Sequence, residues 1–275
     1  MTPMEAVKRL RAEGIERIEL SGCTYAKDPV AGLDAAAEIG PLQVHNYFPP
    51  QEDPFVFNLC DPDAGGRKRS LGLAFDAIDL SKKLGSNVYS FHAGFLGTPA
   101  VTDLGRTWGV TNRISLDEGI SLFAESVSRV ADYAEAREVR LLIENNVLTT
   151  GTAENNGDDI LLMTTSQGIR SVLEAVGRGV RLLMDVAHLA VSARTLGFDA
   201  EVALTEVADL VSGYHLSDNN GLVDSNDPVR DESWFWSGLT SAASFVTLEI
   251  RPGPGTSMFE QVRLTEQKMT ADVAG

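Results

Sequence analysis

Cysteine is scarce in this sequence, with only Cys23 and Cys60 in 275 residues. Two cysteines are too few for the disulfide framework of a small secreted protein. The opening segment, residues 1–14, has the pattern of an amphipathic helix and lacks the apolar centre of a secretory signal. We therefore expect a cytoplasmic protein with reduced thiols.

Positive charge is also in short supply. The chain has 23 lysines and arginines against 39 acidic residues, a formal net charge of −16. Proteins that bind nucleic acid need a basic surface, so this composition argues against a nucleic-acid partner. No apolar run approaches the roughly 20 residues that span a bilayer, and the basic residues are scattered. We expect no membrane role.

Short apolar runs alternate with longer segments of helical period, which predicts consecutive βα units and a parallel sheet. The length suits one domain over residues 1–275, because α/β barrels of roughly 250 residues commonly form a single domain. The predicted strands are mostly aliphatic or β-branched, as in parallel sheets covered on both faces. They are Ile15–Leu20, Leu42–Asn46, Asn87–His92, Val139–Glu144, Val180–Asp185, Val211–Leu216 and Phe245–Ile250.

Six helices are predicted between these strands. They are Pro3–Glu13, Pro29–Ile39, Arg67–Leu84, Ser115–Arg137, Ser166–Val176 and Ala200–Ala208. The fold class is therefore α/β, a TIM (β/α)8-type barrel in which seven strands are readable and the first is missing. Either the start is truncated or the barrel is incomplete, and an open barrel favours a homo-oligomer that covers the gap.

Acidic residues end three of the predicted strands. Glu144, Asp185 and Glu249 each follow a run of mainly apolar residues. A carboxylate beside an aliphatic core is costly unless it is paired or bound to metal, so the repetition points to a shared cation. The alternative for any one acid is an ion pair or a helix cap.

The four histidines of the chain lie at similar places. His45, His92 and His215 occur at strand ends, and His188 follows Asp185 by three residues. A lone histidine of this kind is as often a hydrogen-bonded core residue, and that alternative stays open for His45 and His92. The acids together with His215 form an oxygen-rich set that suits Mn²⁺, with Mg²⁺, Co²⁺ and Zn²⁺ as alternatives.

Five motifs in order along the chain resemble the xylose-isomerase-like TIM-barrel superfamily of sugar phosphate isomerases and epimerases. They are Phe91–Phe95 (FHAGF), Leu142–Asn146 (LIENN), Met184–His188 (MDVAH), Tyr214–Asp218 (YHLSD) and Leu248–Arg251 (LEIR). The resemblance implies that Glu144, Asp185, His215 and Glu249 bind one divalent metal and that His188 contacts the substrate. His92 and His45 are further substrate-binding candidates.

The implied reaction is isomerisation or epimerisation of a small sugar or sugar derivative. The metal would hold adjacent oxygens of a hydroxy-ketone, and Glu144 and Glu249 would transfer the proton through an enediolate-like state. Arg251 is a candidate for binding a substrate phosphate or carboxylate, with a surface salt bridge as the alternative. Four aromatic residues are candidates for stacking on a sugar face, with core packing as the alternative: Phe95, Trp108, Trp234 and Trp236.

Two other functions stay open. A metal-dependent lyase or dehydratase begins with the same proton removal and then expels water. A degenerate, non-catalytic barrel that binds a sugar or a partner protein would explain the missing strand. The endonuclease branch is disfavoured, because the chain is acidic and has no histidine between His215 and Glu249, where multi-metal relatives carry more ligands.

Overall fold

The computed structural model describes residues 1–99 and 109–271. Seven parallel strands form one sheet in the order β1-β2-β3-β6-β7-β8-β9, which confirms the predicted seven-stranded barrel architecture. These strands are β1 Ile18–Leu20, β2 Leu42–His45, β3 Val88–His92, β6 Arg140–Glu144, β7 Arg181–Asp185, β8 Val211–Leu216 and β9 Val246–Leu248. Two short strands, β4 Thr98–Pro99 and β5 Val110–Thr111, pair antiparallel in the connection after β3.

The helices of the described residues surround this sheet. They are α1 Pro3–Ala12, α2 Leu33–Ala37, α3 Ala64–Lys83, α4 Leu116–Glu135, α5 Thr150–Asn156, α6 Ser166–Val176, α7 Val186–Leu196, α8 Ala200–Glu206 and α9 Met258–Ala271. Six of them match the predicted helices. Helices α5, α7 and α9 were not predicted.

Local sequence sets where the helices begin and end. The Ser115 side chain accepts a hydrogen bond from the Glu118 backbone amide at 3.3 Å, which caps the start of α4. Gly85 follows α3 with a φ of 76°, a left-handed conformation that glycine adopts without strain. No helix within the described residues is long and apolar enough to cross a membrane.

The sheet has two edges, at β1 and β9. Within residues 1–99 and 109–271, no backbone pairing joins these two strands. Their side chains meet instead, because the Thr247 hydroxyl on β9 donates to Glu19 Oε2 on β1 at 3.3 Å. A side-chain contact thus bridges this seam, and no eighth strand lies there among the residues that the structure describes.

Candidate metal centre

The strand ends bring the predicted acids and histidines to one mouth of the barrel. Glu144 and Asp185 are the last residues of β6 and β7, and Glu249 follows β9 directly. His92 pairs in register with Glu144, and Asp185 with His215. Because the strands are parallel, these residues share the carboxyl-terminal face of the sheet.

Four of these residues converge on one another, and they are the predicted metal ligands Glu144, Asp185, His215 and Glu249. One ligand atom from each lies within 4.8 Å of the others. His215 Nδ1 is 3.1 Å from Glu144 Oε1, 3.1 Å from Glu249 Oε2 and 4.0 Å from Asp185 Oδ2. Three carboxylates therefore surround one imidazole nitrogen.

The chemistry of this group fits a divalent cation. Glu144 and Asp185 are fully buried, and no aligned hydrogen bond reaches Glu144 Oε2 or Asp185 Oδ2 from the described residues. Buried carboxylate oxygens without donors are costly, whereas a cation satisfies several of them at once. A set of three carboxylates and one imidazole suits Mn²⁺, Mg²⁺, Co²⁺ or Zn²⁺.

A second group shares Glu144 with the first. His45 Nε2 lies 3.0 Å and His92 Nε2 lies 3.4 Å from Glu144 Oε2, and ligand atoms of the three residues also lie within 4.8 Å of one another. His45 is buried, with its Nδ1 2.9 Å from the Ser90 hydroxyl, while the His92 side chain is 26% exposed. Of these two substrate-binding candidates, only His92 is accessible from solvent.

His188 lies in the first turn of α7, beside the four-residue group. Its Nδ1 is 2.9 Å from the Asn145 carbonyl oxygen, and its Nε2 is 3.5 Å from Asp224 Oδ2. Helix α7 starts here because the Asp185 side chain accepts from the His188 backbone amide at 2.7 Å. Asp185 is therefore the cap of α7 as well as a ligand candidate, which places His188 against the site.

Two residues that sequence reasoning missed hold this arrangement. The Asn145 side chain donates to the Asp185 carbonyl at 3.0 Å and accepts from the Asp185 amide at 2.7 Å, so it ties β6 to β7. Glu19 Oε1 lies 2.8 Å from His215 Nε2. Asn145 directly follows the strand-end residue Glu144, and that position could have identified it. Glu19 lies in the middle of a strand, where no such signal marks it.

The pKa values of the acids diverge. Burial raises the pKa of Glu144, but His92, His215 and His45 outweigh it together and hold this pKa well below its ordinary value. Burial raises the pKa of Asp185 to about 7, with further upward pressure from Glu144 and opposition from His188. Within one mouth, one carboxyl is thus strongly acidic and another titrates near neutrality.

Two histidines show the complementary behaviour. Burial lowers the pKa of His215, but Glu19 and Glu144 outweigh it and raise this pKa well above its ordinary value. Burial also lowers the pKa of His92, here to about 4, despite the attraction of Glu144. His92 is therefore neutral at physiological pH and free to accept or donate a hydrogen bond.

The remaining predicted site residues lie outside the four-residue group. Arg251 is exposed, and its backbone amide donates to the Asn226 carbonyl at 2.8 Å. Trp236 donates its indole N–H to the Arg230 carbonyl at 2.7 Å, and Trp234 packs against the core. Trp108 lies outside the described residues.

Comparisons with known proteins place this geometry in context. A search of curated proteins gave no significant match. Among solved structures, the TTHB071 protein from Thermus thermophilus, soaked with ZnCl₂, is 22% identical with a TM-score of 0.60, covering 96% of this chain and 94% of that one.

Two further solved structures are described as epimerases or epimerase-like. A D-tagatose 3-epimerase-like protein has a TM-score of 0.72 at 13% identity, covering 98% of this chain and 94% of that one. D-psicose 3-epimerase from Clostridium cellulolyticum H10, solved with D-tagatose, has a TM-score of 0.62 at 18% identity, covering 98% and 91%. At these identities the likeness shows a shared fold.

The sequence itself matches a family model. The model described as "Xylose isomerase-like TIM barrel" aligns with residues 5–251, which is most of the chain. The aligned span contains the four converging residues and the histidines beside them. The chain belongs to the xylose isomerase-like TIM barrel family.

Proposed function

We propose that this protein is a divalent-metal-dependent isomerase or epimerase of a small sugar or sugar derivative. The observation that carries the proposal is the group of Glu144, Asp185, His215 and Glu249, with its buried carboxylate oxygens that lack aligned hydrogen-bond donors. The family membership and the epimerase structures of the same fold support the same reaction class.

A divalent cation held by these four residues would supply Lewis-acid polarisation of a carbonyl group. Mn²⁺ is the proposed ion, because oxygen ligands dominate the set. All four ligand candidates come from the ends of strands β6, β7, β8 and β9, so the sheet itself fixes their spacing. Rigid placement of this kind keeps the site ready for substrate without reorganisation.

Two glutamates are the proposed proton-transfer groups. The Glu249 side chain is 44% exposed, whereas Glu144 is fully buried. Glu249 can therefore reach a substrate carbon from the open side of the mouth, and Glu144 faces it from the floor. Removal of a proton by one and its return by the other gives epimerisation, and return to the neighbouring carbon gives isomerisation.

His92 and His188 are the proposed contacts for substrate hydroxyl groups. His92 is partly exposed, and its lowered pKa keeps it neutral. His188 Nδ1 lies 3.7 Å from Glu144 Oε1, so a substrate group that binds beside Glu144 also contacts the His188 ring. Arg251, just beyond Glu249, is the proposed contact for a phosphate group if the substrate carries one.

Hydrogen exchange from solvent tests the reaction class directly. The Mn²⁺-loaded protein is incubated in D₂O with a panel of free ketoses, aldoses and their phosphates, and substrates are examined by NMR. Deuterium at a carbon beside the carbonyl, lost in Glu249→Gln, is the expected result. An unsaturated, ultraviolet-absorbing product would assign a dehydratase instead. No exchange with any sugar, together with no Mn²⁺ binding, would leave a non-catalytic barrel.

A further inference from the structure

The imidazole of His215 has carboxylates at both of its nitrogens. Its Nδ1 faces Glu144 and Glu249, each at 3.1 Å, and its Nε2 lies 2.8 Å from Glu19 Oε1. We propose that Glu19 is a positioning residue, which holds the Nε2–H of His215 so that Nδ1 presents its lone pair to the metal centre. This inference rests on the proposed metal site.

The two nitrogens of a neutral imidazole cannot play the same role. A nitrogen that binds a metal must be free of a proton, so the other nitrogen carries the proton and needs an acceptor. His215 Nε2 is buried and has no aligned hydrogen bond among the described residues. Glu19 Oε1 lies 2.8 Å from this nitrogen. Glu19 is therefore the acceptor available to the Nε2–H.

Glu19 is itself fixed by its neighbours, as a positioning residue must be. Its Oε2 accepts hydrogen bonds from the Gln43 side-chain amide on β2 and from the Thr247 hydroxyl on β9 at 3.3 Å. Its side chain is only 8% exposed. One oxygen is thus held by two strands while the other is left for His215.

The same carboxylate lies across the seam between the sheet edges. Thr247 is the register partner of His215 in the β8–β9 pair, and Glu19 pairs with Gln43 in the β1–β2 pair. Glu19 therefore joins the first strand to the last two. If Glu19 only joined the strands, its contacts with Thr247 and Gln43 would be sufficient. Its contact with His215 gives it an additional role at the metal site.

Variants separate these two roles. Glu19→Ala removes the contacts with His215, Gln43 and Thr247. Glu19→Gln keeps the size and an acceptor oxygen, and Thr247→Val removes only the Thr247 contact at nearly constant shape. Zn²⁺ affinity is measured by competition with a chelator, and circular dichroism checks the fold. Loss of such an outer partner typically weakens metal affinity about 10- to 100-fold. We expect that loss in Glu19→Ala and a smaller one in Glu19→Gln. Thr247→Val should keep wild-type affinity with lower thermal stability, because the Gln43 amide still holds the Glu19 carboxylate.

A spectroscopic signature tests the positioning itself. The chain has four histidines, so the ring N–H protons of protein labelled with ¹⁵N-histidine are few enough to resolve, and the His215 signal is assigned by its absence in His215→Gln. A slowly exchanging Nε2–H of His215 is expected in the wild type and in Thr247→Val, and its loss in Glu19→Ala. If Glu19→Ala is unfolded, Glu19→Gln decides, with weakened affinity and faster Nε2–H exchange expected.

The outcomes distinguish this inference from the proposed function. Wild-type Zn²⁺ affinity and an unchanged Nε2–H signal in a folded Glu19 variant would overturn the positioning role and leave the metal site standing. Failure of the wild type to bind Zn²⁺ or Mn²⁺ would overturn the metal site. The Nε2–H comparison in the metal-free protein would then still decide whether Glu19 holds the His215 ring.

Discussion

Asp185→Asn should stabilise the metal-free protein while removing a metal ligand. Burial raises the pKa of Asp185 to about 7 from an ordinary value of 3.8. The raised value means that the folded state resists ionisation of this carboxyl, so its contribution to stability falls as pH rises from about 4 to about 7. Asparagine cannot ionise, and its side-chain oxygen can still accept the cap hydrogen bond from the His188 amide, which is 2.7 Å from Asp185 Oδ1.

The size of this effect follows from the pKa difference. A shift of about three pH units corresponds to roughly 4 kcal/mol at 1.36 kcal/mol per unit. We expect the free energy of unfolding of Asp185→Asn in a chelating buffer to exceed the wild-type value by up to about 4 kcal/mol at pH 8. At pH 5 the gain should fall below about 2 kcal/mol, because the folded wild type is then protonated and the pH is only about one unit above the ordinary pKa of 3.8.

Urea unfolding with and without Mn²⁺ is the assay. Saturation with a ligand at about 100 times its Kd stabilises a folded protein by about 2.7 kcal/mol, and only the wild type should gain this. A variant that is less stable than the wild type at pH 8 in chelator, or that has the same pH profile, would refute the reasoning. Asp199→Asn at the cap of α8, an exposed carboxylate that accepts from two backbone amides, is the matched control and should not share the pH-dependent gain.

Three further predictions concern the same protein. Calorimetry should show one Mn²⁺ per chain. Glu144→Gln or His215→Ala should weaken this binding by more than about 100-fold, since each loses a ligand atom rather than an outer partner. Two ions per chain in the wild type would instead indicate a second site at His45, His92 and Glu144. Mn²⁺ binding at pH 7 should release protons, because His215 is held protonated without a cation; heats that do not change with the ionisation enthalpy of the buffer would contradict this. The Cys60 thiol should resist iodoacetamide in the folded protein, since burial raises its pKa far above neutrality; alkylation of Cys60 as fast as of half-buried Cys23 would contradict it.

The strands and the converging acids were predictable because both depend on local pattern. Each apolar run of strand length became a strand, and a parallel sheet brings all carboxyl ends to one face. Helix α7 was missed because it begins at Val186, directly after the last residue of β7. Asp185 both ends the strand and caps the helix, with no loop between them. Helix α5 was missed because its sequence, Thr150–Asn156, is rich in residues typical of loops.

Glu19 was missed for a different reason. It lies between the buried residues Ile18 and Leu20, so the triplet reads as ordinary strand alternation with a solvent-facing acid. In the barrel that face is the interior, where the carboxylate meets His215. Asp224 was also beyond sequence reasoning, since its contact with His188 depends on the path of a long loop after β8.

The charge of the mouth gives the strongest argument for a cation. Protons on the histidines can balance the buried carboxylates, and the raised pKa of His215 shows that such balance is available. A hydrogen-bond donor must point at its acceptor, however, and Glu144 Oε2 and Asp185 Oδ2 have no aligned donor within the described residues. A divalent cation has no such directional requirement and draws charge from several oxygens at once. Protonated histidines therefore balance the negative charge of this site without giving the two carboxylate oxygens an aligned partner. One metal ion would balance the charge and bind these oxygens as well.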